Sequence, residues 1–124
     1  MITILLVEND PVIRATTREI LELTGYRVII AEDGLTGLHL FQQHRDEVAL
    51  VISDMAMPEM GGEDLFLALQ AVHPQIKMIL ISGFLLEDRG ESLLAKGLIA
   101  CIKKPFPIPT LLETIEQALA VEVV

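Results

Sequence analysis

Short apolar runs alternate with longer amphipathic ones along the whole chain, and few folds accommodate that rhythm. A run of about five apolar residues bounded by turn formers is a strand buried on both faces, and the amphipathic segment that follows is the helix carrying the chain back across the sheet. Residues 3–7 read as the first such strand. Ile13, Thr17, Ile20, Leu21 and Thr24 then recur at helical spacing, with Pro11 at the entry and Gly25 as the stop. Residues 26–31 form a second strand, after which Leu35, Leu38 and Phe41 share one helical face. Residues 49–53 give a third strand, and beyond a Met-Pro and Gly-Gly loop the helix over 63–72 presents Leu65, Phe66, Leu69 and Val72 to a core. Pro74 interrupts the chain before a fourth strand at 77–81 and a more polar helix at 86–96. Residues 98–102 make the fifth strand. Pro109 and Thr110 open a last helix whose inner face carries Ile108, Leu111, Leu112, Ile115 and Leu119. Five strand-helix units predict an α/β fold, a doubly wound parallel sheet with helices on both faces.

Length confines this pattern to one domain over residues 1–124. Hydrophobic residues make up 52% of the chain, yet no apolar run approaches the roughly 18 to 20 residues of a membrane-spanning helix, so membrane insertion is not expected. The apolar start lacks the basic leader and small-residue cleavage site of a secretory signal and reads as a core strand. Cys101 is the only cysteine, which excludes an internal disulfide and agrees with a reducing cytoplasm. A net charge of −9 opposes direct nucleic acid binding. His39, His44 and His73 share no ligand-like spacing and read as surface residues.

Ligands of an open parallel sheet bind beyond the carboxyl ends of its strands. Glu8, Asn9 and Asp10 follow the first strand, Asp54 ends the third, Ser82 ends the fourth, and Lys104 with Pro105 follows the fifth. With strand order 2-1-3-4-5 the first and third strands are neighbours, and the acidic turn meets Asp54, while Glu32 and Asp33 lie farther off. Clustered carboxylates repel one another unless a cation joins them. Magnesium, or manganese in its place, suits such a cluster, because it is held by one or two carboxylates, waters and phosphate oxygens. A carboxylate such as Asp54 can attack phosphorus, with Lys104 and the Ser82 hydroxyl arranged around the phosphoryl oxygens.

Five segments carry a resemblance to a known family: Leu5-Leu6-Val7-Glu8-Asn9-Asp10-Pro11, the Gly25-Tyr26 turn, Ser53 through Gly62, Ile81-Ser82-Gly83, and Lys103-Lys104-Pro105-Phe106. In this order and spacing the chain resembles the receiver domain of two-component response regulators along its whole length. The resemblance implies a flavodoxin-like fold and a signalling switch rather than an enzyme acting on other molecules. It implies a phosphoacceptor at Asp54, and a metal site formed by Glu8, Asn9, Asp54 and the backbone carbonyl of Ala56. Ser82 would be the switch hydroxyl and Lys104 the phosphate-pairing lysine. A histidine kinase or histidine phosphotransfer protein would be the donor. Any self-association is expected through the face of helices four and five. The wording Ile81-Ser82-Gly83-Phe84 and Lys104-Pro105-Phe106 looks most like receivers attached to hybrid sensor kinases.

Two positions depart from the family pattern. Asn9 stands where an aspartate is expected, so metal affinity should be weaker unless Asp10 turns inward to compensate. Cys101 stands where a switching tyrosine or phenylalanine is usual, and is expected to be a small buried hydrophobe. Both departures favour an alternative, a pseudo-receiver that binds partners without using phosphorylation. An aspartate-nucleophile phosphatase would carry a second acid two residues after Asp54, where this chain has Ala56. Pro105 fixes the loop after Lys104 and admits a cis peptide bond. Met55, Met57 and Met60 offer either an adaptable docking surface or loop packing around Pro58, and packing is the expected role.

Overall fold

The computed structural model describes residues 1–83 and 87–121. Five parallel strands form one sheet in the order β2-β1-β3-β4-β5: β1 (Thr3–Val7), β2 (Arg27–Ala31), β3 (Val48–Asp54), β4 (Met78–Ser82) and β5 (Ala100–Lys103). Between and after them run α1 (Pro11–Leu23), α2 (Gly34–Gln43), α3 (Gly62–Val72), α4 (Glu87–Ala95) and α5 (Ile108–Ala120). The expected doubly wound, flavodoxin-like architecture and strand order are both present. The fourth helix was expected to start at Leu86, which lies outside the described residues, as does Phe84.

The alternation of side chains along each strand divides the interior into two cores. Leu5, Val7, Val51, Met78 and Leu80 pack with Phe41 of α2, with Leu65, Phe66 and Leu69 of α3, and with Leu93 of α4. On the other face Ile4, Leu6, Leu50, Ile52, Ile79 and Ile81 meet Leu21 of α1 and Leu111, Ile115 and Ala118 of α5. Every residue of β1 and β4 is buried, as strands covered on both faces require, whereas the edge strands β2 and β5 are only partly covered.

Several expectations about faces need correction. Leu35 points outward and is 55% exposed, because α2 turns Gly37 to the sheet instead. A Cβ on Gly37 would lie 2.8 Å from Val7 Cγ2, so this helix approaches the sheet more closely than a leucine face would allow. Ile108 and Val72 are exposed as well. The fifth strand begins at Ala100 rather than at Leu98, since Leu98 closes α4. Gly97 adopts a φ of 113°, Gly97 N–H donates to Leu94 O at 3.1 Å, and Leu98 N–H donates to Leu93 O at 3.0 Å. This is the glycine-terminated cap in which the residue after the glycine packs back on the helix. Met55 is buried and Met57 and Met60 lean on the core, so these methionines pack the β3–α3 loop.

Gly62, at the start of α3, lies directly beneath the end of β3. A Cβ there would come within 2.6 Å of Asp54 O and 2.7 Å of Leu80 Cδ2. Backbone cannot yield cheaply, so Gly62→Ala should lower stability by about 1–3 kcal/mol, read as an earlier urea midpoint with an unchanged slope.

Candidate functional site

Parallel strands bring their carboxyl ends to one edge, and register decides which side chains meet there. Val7 pairs with Ser53, Asp54 with Ile81, and Ser82 with Lys103. Glu8 therefore emerges beside Asp54, on the face of the sheet that α1 and α5 cover. Lys104 follows β5, and its backbone N–H donates to Ser82 O at 2.7 Å. The Lys104–Pro105 peptide bond is cis, as the sequence admits. Lys104 Nζ then reaches both acids, lying 3.2 Å from Asp54 Oδ1 and 3.5 Å from Glu8 Oε1.

The site is sheltered, which strengthens its electrostatics. Glu8 is 4% exposed, and the Asp54 and Lys104 side chains are 11% and 26% exposed. Ile13, Thr17, Ile81 and Phe106 close the site from below around a hollow of about 10 Å³. A hollow of about 510 Å³ runs along α1 past Arg14, Arg18, Glu19 and Glu22, but Asp54 does not line it, so chemistry rather than volume locates the site. Burial pushes the Glu8 carboxyl above its ordinary range, and Asp54 raises it further as a like charge and as an acceptor for a Glu8 proton. Lys104 offsets part of this.

Two carboxylates thus share one ammonium, and Glu8 Oε2 is buried with no hydrogen-bond partner. An orphaned carboxylate oxygen next to a second carboxylate fits a divalent cation. Among the described residues no group of three or more His, Cys, Asp or Glu side chains could hold a metal, but magnesium needs only one or two carboxylates together with waters and phosphate oxygens. The residues present meet that requirement. Asn9 and Ala56 are both exposed beside the two acids in sequence, where an amide oxygen and a carbonyl can be offered to an ion entering from solvent.

Other expected residues take different places. Asp10 is exposed and caps α1, its Oδ1 accepting from Val12 N–H at 2.9 Å and Ile13 N–H at 3.1 Å. That engagement with the helix end leaves little reason for it to turn inward and compensate for Asn9. Asp33 likewise caps α2 through Thr36 N–H at 2.7 Å, away from the site. Ser82 is buried at the end of β4. Cys101 is exposed rather than a buried hydrophobe, because β5 is an edge strand with its outward position uncovered; partial desolvation still pushes its thiol pKa up. His39 is exposed, but His44 and His73 are half-buried, and the His73 ring stands edge-on to Phe41 with centroids 5.8 Å apart.

Sequence reasoning missed Arg14, whose Nη1 donates to Glu8 O at 2.8 Å. Only its position, one helical turn after the acidic segment, could have pointed to it. It also missed two links that tie α3 to α4: an ion pair between Glu63 and Arg89 at 3.0 Å, and a hydrogen bond from Gln70 Nε2 to Lys96 O.

Comparison with known proteins bears on the family and the fold. The profile of the response regulator receiver domain matches residues 4–116. The chain is 34% identical to the sensor kinase CckA of Brucella abortus (strain 2308) over 94% of its own length, and it spans 12% of that kinase's length. A CheY-like response regulator receiver domain protein of Methanospirillum hungatei JF-1 superposes with a TM-score of 0.85 at 31% identity, covering 96% of this chain and 94% of that one. The response regulator protein TrrA of Thermotoga maritima, solved in complex with Mg2+-BeF, superposes with a TM-score of 0.85 at 27% identity over 95% of this chain and 99% of that one.

The raised Glu8 carboxyl has a consequence for stability. In the folded protein Glu8 keeps its proton to higher pH than in the unfolded chain. The folded state therefore binds more protons in that window, and stability falls as pH rises from the ordinary glutamate value through the folded one. Without added metal, Glu8→Gln should remove this slope and raise stability at neutral pH by on the order of 1 kcal/mol. Urea denaturation across pH 4 to 8 checks the prediction; a variant less stable than wild type at neutral pH would contradict it.

Proposed function

The chain belongs to the receiver domain family of response regulators, and from that membership we propose that it is a phosphoaccepting switch in which Asp54 takes a phosphoryl group from a histidine kinase or phosphotransfer protein. One observation carries the reading. Lys104 Nζ bridges Asp54 Oδ1 and Glu8 Oε1 at the carboxyl edge of the sheet, beside the orphaned Glu8 Oε2.

In the reaction an Asp54 carboxylate oxygen attacks phosphorus while the bond from phosphorus to the donor nitrogen breaks, leaving an acyl phosphate on Asp54. Glu8 and Asp54, with the Asn9 amide and the Ala56 carbonyl, would hold magnesium or manganese, which when bound neutralises charge on the phosphoryl oxygens. Lys104 exchanges its contact with Asp54 for one with a phosphoryl oxygen, at little cost because its backbone is already tied to Ser82 O. Ser82 supplies the hydroxyl that answers the new group. The apolar floor of Ile81 and Phe106 limits water behind the nucleophile and protects the acyl phosphate from hydrolysis. On this reading the chain catalyses only its own phosphorylation and dephosphorylation, and works in the cytoplasm where such donors act. Among the described residues no helix is long and apolar enough to cross a membrane. Self-association, where it occurs, would use the face of α4 and α5.

A pseudo-receiver reading draws support from the uncharged, exposed Asn9 and from Cys101, which has no ring to swing inward. Intact mass after incubation with magnesium and a small phosphodonor separates the two. The switch predicts a magnesium-dependent gain of about 80 Da, one phosphoryl group, lost in Asp54→Asn and at least tenfold slower in Lys104→Ala. No gain in wild type favours the pseudo-receiver, and a gain that persists in Asp54→Asn removes Asp54 as acceptor. Asn9→Asp restores one negative charge at the metal site and should tighten magnesium binding by roughly tenfold, a fraction of the few kcal/mol that such a charge contributes before screening and carboxylate repulsion are counted. A magnesium titration of both proteins checks this; equal affinities would remove Asn9 from the ligand set.

A further inference from the structure

The turn between β1 and α1 grips Glu8 by its backbone from both sides. Glu8 N–H donates to Ala31 O at 3.0 Å on the neighbouring strand, and Glu8 O accepts from Arg14 Nη1 at 2.8 Å. Arg14 N–H also donates to Asp10 O at 2.9 Å, so its amide and its guanidinium serve the same turn. Arg18, one turn further along α1, pairs with Glu22 at 3.0 Å, whereas among the described residues Arg14 has no carboxylate within ion-pair distance. The half-buried guanidinium is committed to a carbonyl rather than to a surface salt bridge.

The side chain that this carbonyl carries has cause to leave. Glu8 is 4% exposed, its Oε2 has no partner, and a second carboxylate stands beside it. Loosening of the turn on its exposed Asn9 side would let the Glu8 Cα tilt and carry the carboxylate toward water. A hydrogen bond from a guanidinium to the Glu8 carbonyl is charge-assisted, and so stronger than a neutral one. It opposes that tilt by holding the peptide that leaves Glu8.

We propose that Arg14 is a positioning residue for the metal site: by pinning the Glu8 carbonyl it keeps the Glu8 carboxylate turned toward Asp54, and it sets magnesium affinity without touching the ion. The inference rests on reading Glu8 and Asp54 as metal ligands. Its sign is distinctive. If Arg14 acted only as a nearby positive charge, removing it would tighten cation binding; as a positioning residue, its loss must weaken it.

Calorimetric magnesium titration of the full chain tests this on wild type, Arg14→Ala, Arg14→Lys, Glu8→Gln and the Arg14→Ala/Glu8→Gln double variant. Arg14→Ala should weaken binding about tenfold, the scale of one charge-assisted hydrogen bond, and Arg14→Lys should recover most of the loss. The double variant should bind no more weakly than Glu8→Gln alone, because Arg14 acts through Glu8. In magnesium-free protein, amide exchange at Glu8 should quicken in Arg14→Ala while the urea midpoint stays near that of wild type. Tighter or unchanged binding in Arg14→Ala, or additive losses in the double variant, overturns the inference. A wild-type chain that binds no magnesium sinks the ligand reading instead, and the hold of Arg14 on Glu8 is then decided by exchange alone: quickening supports it, and no change overturns it.

Discussion

Glu8 and Asp54 compete for one ammonium, and the carboxyl edge of the sheet is built around that unequal sharing. Each acid would be costly where it stands without a cation, since both are largely withdrawn from water and each repels the other. Lys104 relieves part of the repulsion by lying within 3.5 Å of both. It leaves Glu8 Oε2 without a partner. The site is therefore incompletely compensated, and an incoming cation meets an electrostatic demand that the folded chain has already created.

Backbone packing keeps that demand in place. The Lys104 amide is bonded to Ser82 O, the Met55 amide to Ile81 O, and the Glu8 amide to Ala31 O, so each strand end is tied to a neighbouring strand. Beneath Asp54 the contact with Gly62 is close enough that displacement of the Asp54 carbonyl must be felt at the first turn of α3. Glu63 and Gln70 then link α3 to Arg89 and Lys96, at the two ends of α4. These two contacts join α3 to the α4 region without involving β5.

Much of this was legible in the chain. Residues 3–7 and 49–53 announced buried strands, since a continuous apolar run bounded by turn formers has few alternatives, and the acids, hydroxyl and lysine fell where strand ends must be. The errors share a cause. Leu35 was assigned inward by periodicity, but the helix approaches the sheet by presenting Gly37 to Val7, with Gly34 against Met60, and close approach won over side-chain burial. Leu98 looked like strand and instead closes α4, because Gly97 takes a left-handed conformation that apolar patterning does not register. Cys101 was expected inside on residue type, yet burial depends on what covers an edge strand.

Local chemistry and periodicity determined the elements, their order and the list of candidate site residues, because hydrophobic spacing and turn chemistry act within a few residues of chain. Tertiary structure decided what those residues do together. It brought Lys104 across to Glu8, 96 positions away, and committed Asp10 to a helix cap. It also recruited Arg14, which no motif marks, to hold the turn. Such choices depend on strand register, on the distance at which helices settle against the sheet and on which atoms lose water, and none of these is written in any short stretch of sequence.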